Sequence, residues 1–211
     1  MTEKEDTRIL LPVGRLINQS LFVKDQFNDQ AVPKYKLEIA FDPEDVEGEG
    51  NPIEAALVQC AVEKWGEDID LDSVKFPYIE GDKLAAKRER KGKPGDAYAG
   101  KTVLRADTIY NKDGQDGPGG VQIYNEEVEE VSFMQKDEVY QGCFGQALVQ
   151  PSAYENSDGD PAIKLYLVAF QKTDGGERLV TPQNHAGAFK PVGRKKQADS
   201  EDGGKRRVRK G

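Results

Sequence analysis

Apolar and polar positions alternate with a period of two along several stretches of this chain, most regularly from Ile163 to Lys172. Successive side chains of a strand point to opposite faces. Ile163, Leu165, Leu167 and Ala169 therefore form one face, and Lys164, Tyr166, Val168, Phe170 and Lys172 the other. The first set predicts a core face. The same reading predicts a strand over residues 15–24, with Ile17, Leu21 and Val23 on one side and Asn18, Ser20, Phe22 and Lys24 on the other. It predicts another over 35–41, with Tyr35, Leu37, Ile39 and Phe41 inward and Lys36, Glu38 and Ala40 outward. These two pair as a hairpin across the polar turn 25–33. Further strands are expected over 101–110, where Leu104, Ala106 and Tyr110 oppose Lys101, Val103 and Arg105, and over 140–150, where Cys143, Ala147 and Val149 oppose Tyr140, Phe144, Gln146 and Leu148. Weaker alternation marks 121–124 and 128–134.

The period changes between Asn51 and Trp65. Asn51 suits an N-cap, Pro52 the first helical position and Glu54 the third, and Ile53, Leu57, Cys60, Ala61 and Trp65 recur at helical spacing before Gly66. This is a packing helix without a chemical role. Residues 80–100 are basic and glycine-bearing, and read either as an arm closing over a nucleic-acid backbone or as a solvated loop. Residues 111–120 and 155–161 are loops by composition. Gly142 and Gly145 flank Phe144 and mark a bulge or sharp bend of the kind small barrels use. Five or more antiparallel strands with one helix predict a small closed or partly open β-barrel.

The 211 residues suit one domain. Its expected limits are 13–189, between a flexible N-terminus (1–12) and a basic tail (190–211) without apolar periodicity, expected to be disordered. Hydrophobic residues make up 36% and charged residues 32%, so the core is modest. No apolar run approaches the roughly 20 residues of a membrane-crossing helix, and residues 1–7 lack the apolar stretch of a secretory signal. A cytosolic protein is expected. Cys60 and Cys143 have no CxxC partner and read as reduced, buried small hydrophobes.

Charge is unevenly distributed. Between Lys190 and Gly211, nine cations face three acids, a surplus of six; with a net charge of -8 overall, the remainder carries -14. Screening over about 8 Å makes the local potential of a groove decisive, so an acidic body is compatible with a basic binding site.

The polar faces of the strands interleave cations with flat rings. That combination can neutralise phosphates and stack on exposed bases at once, which points to single-stranded nucleic acid. The candidate stacking rings are Phe22, Phe144, Tyr166, Tyr140 and Phe170, the last with a core role as its alternative. The candidate cations are Lys24, Lys36, Arg105, Lys164 and Lys172. No enzyme is expected. His185 stands alone without a triad-like or metal-ligand neighbourhood. No phosphate-binding or dinucleotide fingerprint occurs. Asp42, Glu44 and Asp45, or Asp158 and Asp160, would be the carboxylates of a Mg²⁺-dependent nuclease, but they lie in turns where Asp is expected anyway. No metal or cofactor is expected. A scaffolding protein without nucleic-acid affinity is the other alternative.

In sequence order, Gly14-Arg15, Ser20-Leu21-Phe22, Lys34-Tyr35-Lys36-Leu37-Glu38-Ile39, Tyr78-Ile79-Glu80-Gly81-Asp82, Tyr140-Gln141-Gly142-Cys143-Phe144-Gly145 and Phe170-Gln171-Lys172 resemble bacteriophage single-stranded-DNA-binding proteins, above all those of enterobacterial tailed phages. The likeness spans roughly residues 13 to 180. It implies a mainly β fold: an OB-like, partly open antiparallel β-barrel with one packing helix and long loops. It also implies sequence-tolerant binding of single-stranded DNA in phage replication, recombination or repair, within the cytoplasm of the infected bacterial host. Phage or host replication proteins are the implied partners, often recruited in such proteins by an acidic tail. This chain departs there: Asp199-Ser200-Glu201-Asp202 is followed by Lys205-Arg206-Arg207-Val208-Arg209-Lys210.

Overall fold

The computed structural model describes residues 7–180. The tail 190–211, His185 and the acidic patch at 199–202 lie outside them. Eight strands form one sheet: β1 (Ile9–Leu10), β2 (Gly14–Asp25), β3 (Lys34–Phe41), β4 (Tyr78–Glu80), β5 (Thr102–Thr108), β6 (Gln122–Tyr124), β7 (Phe144–Glu155) and β8 (Pro161–Asp174). Five of them close a ring, β7–β2–β3–β5–β8 and back to β7. The fold is mainly β and OB-like, but the ring is not a regular barrel. The antiparallel expectation is corrected at two places, since β5–β8 and β6–β8 are parallel. The reason is topological: β7 turns directly into β8, and this hairpin returns the chain in the direction of β5. Only Ala106–Leu165 and Asp107–Tyr166 register across the β5–β8 seam, so the ring is partly open there.

Helix α1 (Pro43–Val46) is one turn. Helix α2 (Pro52–Trp65) has the expected bounds: the Asn51 side chain accepts the Ile53 N–H at 2.9 Å, and Gly66 ends the helix at φ +93°. Its buried face of Ile53, Leu57 and Ala61 joins the main core with Leu16, Leu21, Tyr35, Leu37, Ile39 and Leu104.

The segment expected as a loop over 80–100 instead carries helix α3 (Gly81–Glu89). Its Lys, Arg, Glu and Ala are good helix formers, and Ala85 packs with Ile17, Ala40, Tyr98 and Val103 in a second apolar cluster on the outside of β2, β3 and β5. The strand expected over 128–134 is reduced to one bridge, Tyr124–Glu130, followed by a 3₁₀ turn from Phe133 to Glu138. The strand expected from 140 begins at Phe144.

Three irregularities redirect side chains that strict alternation would have placed otherwise. Between Leu16–Ile39 and Asn18–Glu38, β2 holds the extra residue Ile17, which was expected on the face of Leu21 and instead joins the second cluster. Between Ser20–Lys36 and Asp25–Lys34, β2 holds four residues where β3 holds only Tyr35. This bulge turns Val23 out of its expected core position, to 62% exposure. On β8, Leu148 pairs with Ala169 but Val149 with Leu167, leaving Val168 as an extra residue. Parity flips beyond it, and Phe170 enters the main core.

Candidate nucleic-acid interface

The β2 bulge sets Phe22 half-buried against the core rim. Facing it, a capping box starts the 3₁₀ turn: Ser132 and Gln135 bond each other's backbone and side chain. That turn presents Phe133, 53% exposed, edge-on to Phe22 with ring centres 6.3 Å apart. Lys136 follows one turn later, its Nζ 4.8 Å from the Phe133 ring centre. Tyr140 is fixed at its hydroxyl, which donates to the Gly176 carbonyl at 3.0 Å and accepts the Gly176 N–H at 3.1 Å. The Arg178 guanidinium covers the Tyr140 ring at 3.9 Å and donates to the Asp137 carbonyl at 3.0 Å. Together with Gln19, Ser20 and Gln141 these groups line an open pocket of about 420 Å³.

Arg178 also borders an adjoining pocket of about 230 Å³ lined by Arg15, Arg88, Tyr98 and Leu179. Arg88 lies 4.8 Å from the Tyr98 ring centre and donates to the Pro94 carbonyl; Arg15 donates to the Glu177 carbonyl at 3.2 Å. Lys87, Arg90, Lys91 and Lys93, on α3 and the turn after it, are exposed. Among the described residues none of the cations just named makes an ion pair. Two buried polar atoms near these pockets, Ser20 Oγ and Arg15 Nε, have no hydrogen-bond partner among the described residues.

The expected site residues divide into groups. Phe22 and Tyr140 stand in the groove. Lys24, Lys36, Arg105 and Lys172 do not act as a free cationic face, because each is held by a carboxylate: Asp116, Asp25, Glu38 and Glu126 respectively. Lys36 holds the Asp25 carboxyl below its usual range by hydrogen bonding, and the Lys172–Glu126 bond lowers the Glu126 carboxyl and raises the Lys172 ammonium. Lys24 also lies 5.4 Å from the Tyr35 ring centre, and the Tyr35 hydroxyl bonds Gly117 and Gly120, so Lys24 works as an anchor of the 111–120 loop. Phe144 lines another pocket with Arg15, Lys101, Asp42, Asp45 and Asp96, which shares Arg15 and Asp96 with the pocket of Arg88 and Tyr98. Tyr166 and Lys164 sit together on the outer face of β8, Nζ 4.3 Å from the ring centre. Phe170 is 1% exposed, which removes it as a stacking platform: past the Val168 bulge it faces the interior against Ala147. Asp42 is engaged by Lys101 and Asp160 by Lys75.

Phe133, Lys136, Arg178, Arg88 and Arg15 were not among the expected residues. Phe133 and Lys136 were legible in principle, since Ser132-x-x-Gln135 is a capping pattern that argues against continuing the strand there. Arg15, Arg88 and Arg178 meet only through tertiary folding.

The fold was compared with solved structures. The single-stranded DNA-binding protein from bacteriophage Enc34 in complex with ssDNA superposes with a TM-score of 0.61 at 17% identity, over 82% of this chain and 90% of that one. A further structure of the single-stranded DNA-binding protein from bacteriophage Enc34 gives a TM-score of 0.59 at 15% identity, over 87% of this chain and 89% of that one. The gp2.5 single-stranded DNA-binding protein encoded by bacteriophage T7 gives 0.51 at 9% identity, over 88% and 96%. No curated protein sequence matches the chain. The model of the Enterobacter phage Enc34 ssDNA-binding protein family matches residues 7–202, nearly the whole sequence. This chain belongs to that family.

Proposed function

We propose that this protein binds single-stranded DNA, without base selectivity in its main groove and without catalysing a reaction on it, and that it coats strands exposed during phage replication, recombination or repair in the cytoplasm of the infected bacterial host. The observation that carries this reading is the groove itself. Phe22, Phe133 and Tyr140 gather there beside Lys136 and Arg178, cations that make no ion pair among the described residues, although Asp137 borders the same pocket. A phosphate can bind them without first breaking an ion pair to a described residue, and the exposed Phe133 ring offers a face that any base can cover, beside the half-buried Phe22 and Tyr140. Arg15 and Arg88 continue the cationic track, and the basic turn after α3 lies beside it.

The test is a fluorescence titration of the full chain with single-stranded oligonucleotides of dT and mixed sequence, with matched duplex as control, over a salt series with and without Mg²⁺. Single strands should bind more tightly than duplex, and log K should fall with log[salt] by about 0.7 per phosphate neutralised. No salt-dependent affinity would leave a scaffolding role, and loss of strand on adding Mg²⁺ would reveal a nuclease.

A further inference from the structure

The opening between β5 and β8 has chemistry of its own. After Asp107–Tyr166 the two strands part, and β8 next pairs with β6 from Ala169. The gap is a cleft of about 570 Å³, within the usual range of small-molecule sites. Tyr110 and Tyr166 stand at it, Leu167 and Val168 contribute apolar surface, and the amides of Gln122 and Gln150 supply polar edges. Tyr110 is 49% exposed, and its backbone N–H is held by the Thr108 hydroxyl at 3.1 Å.

The approach to this cleft is cationic. Cross-strand register pairs Gln150 with Tyr166 and Ser152 with Lys164 on the outer face of the β7–β8 hairpin. The Lys164 ammonium lies 4.3 Å from the Tyr166 ring centre and 5.3 Å from that of Tyr154. It makes no ion pair among the described residues. Two tyrosine rings, amides carrying both donors and acceptors, and a cation outside match the three parts of a nucleotide: a flat base, its hydrogen-bonding edge and its phosphate.

We propose that this cleft takes one nucleobase of the bound single strand, stacked on Tyr110 and Tyr166 with its flanking phosphate on Lys164, as a second contact distinct from the Phe22–Tyr140 groove. The proposal rests on the single-stranded DNA reading above. The connection from residue 109 to residue 143 borders both sites, with Tyr110 at one end and Tyr140 at the other, so a strand long enough to pass along it reaches both. A short strand fills the groove alone.

The experiment compares oligonucleotides of about 6 and about 16 nucleotides, the range occupied by one OB fold, on the full-length protein. Tyr110→Ala should weaken the longer strand roughly five-fold or more, the low end of one stacked base, and leave the shorter one unchanged. Tyr110→Trp should restore the longer strand. Wild-type affinity of Tyr110→Ala and Tyr166→Ala for both lengths would overturn the cleft, as would an equal loss at both lengths. Absence of binding by the unaltered protein at either length would instead overturn the single-stranded DNA reading itself.

Discussion

Arg178 covers the Tyr140 ring at 3.9 Å while the Tyr140 hydroxyl is clamped on both sides by the backbone of Gly176. One tyrosine thereby fixes the path of residues 175–178 and carries the cation that those residues deliver. The groove is pre-organised: its main ring and its main guanidinium position each other before any strand arrives.

Separating these roles needs two substitutions. Tyr140→Ala removes the ring, and affinity for single-stranded DNA should fall by about 1–3 kcal/mol. Tyr140→Phe keeps the ring and loses both bonds to Gly176. A smaller fall, accompanied by faster hydrogen exchange at the Gly176 amide, is expected. Equal losses from the two variants, measured by fluorescence anisotropy, would show that the ring face contributes nothing.

Lys136 and Lys24 should behave oppositely although both are lysines close to aromatic rings. Lys136 has no carboxylate partner among the described residues, so Lys136→Met should flatten the slope of log K against log[salt] by about 0.7. Lys24 is tied to Asp116 and lies over Tyr35. Lys24→Met should leave that slope as it was and lower the thermal midpoint by loosening the 111–120 loop. A flattened slope from Lys24→Met would place the DNA beside the 111–120 loop instead.

Gly145 lies directly against the Phe170 ring inside the sheet. A Cβ at residue 145 would overlap the Phe170 ring and the Gln171 carbonyl, and packed interiors answer such crowding with about 1–3 kcal/mol of lost stability. Gly145→Ala should lower the denaturant midpoint accordingly. Phe170→Ala, which empties a fully buried site, should cost about 3–5 kcal/mol. Where either variant remains folded, its affinity for single-stranded DNA should match the unaltered protein, since neither residue touches the groove.

What could be read from the sequence follows from how local each signal is. The bounds of α2 were legible because Asn51, Pro52 and Gly66 act within one turn of their own positions. The hairpin β2–β3 and the inward row Tyr35, Leu37, Ile39 and Phe41 were legible because β3 pairs with β5 residue for residue without a bulge, although the outward Glu38 and Ala40 are also buried, Ala40 in the second apolar cluster. Phe170 and Val23 were misplaced because a bulge is a property of two paired strands, invisible in either alone. The carboxylate partners of the cations were the least legible. Lys24, Lys36, Arg105 and Lys172 have the spacing of a binding face, but spacing does not reveal which carboxylates fold against them, two of which come from loops about 46 and 92 residues away. Among the described residues, the cations outside ion pairs include Arg88 on a helix that resembled a loop, Lys136 on a 3₁₀ turn and Arg178 after β8, but also Arg15 on β2 and Lys164 on β8, two strands legible in the sequence.

Those ion pairs also set the response to acid. The carboxyls of Asp25 and Glu126 are held below their ordinary values of 3.8 and 4.5, in each case first by a hydrogen bond from a lysine, Lys36 and Lys172. A carboxylate whose folded pKa lies below its unfolded one stabilises the fold fully above the unfolded value, and that contribution disappears as pH falls through the folded one. These two groups should therefore contribute equally at pH 7 and pH 6, and their contribution should decline below about pH 4.5. Glu126→Gln cannot titrate and keeps a hydrogen-bond acceptor for Lys172, so the thermal midpoint of this variant should fall less steeply than that of the unaltered protein between about pH 4.5 and 3. Both proteins are exposed to the same protonation of every other acid, so the difference between their slopes isolates the pair. Parallel curves through that window would show that the Lys172–Glu126 contact contributes no stability, and would return Lys172 to the set of cations free to meet a phosphate.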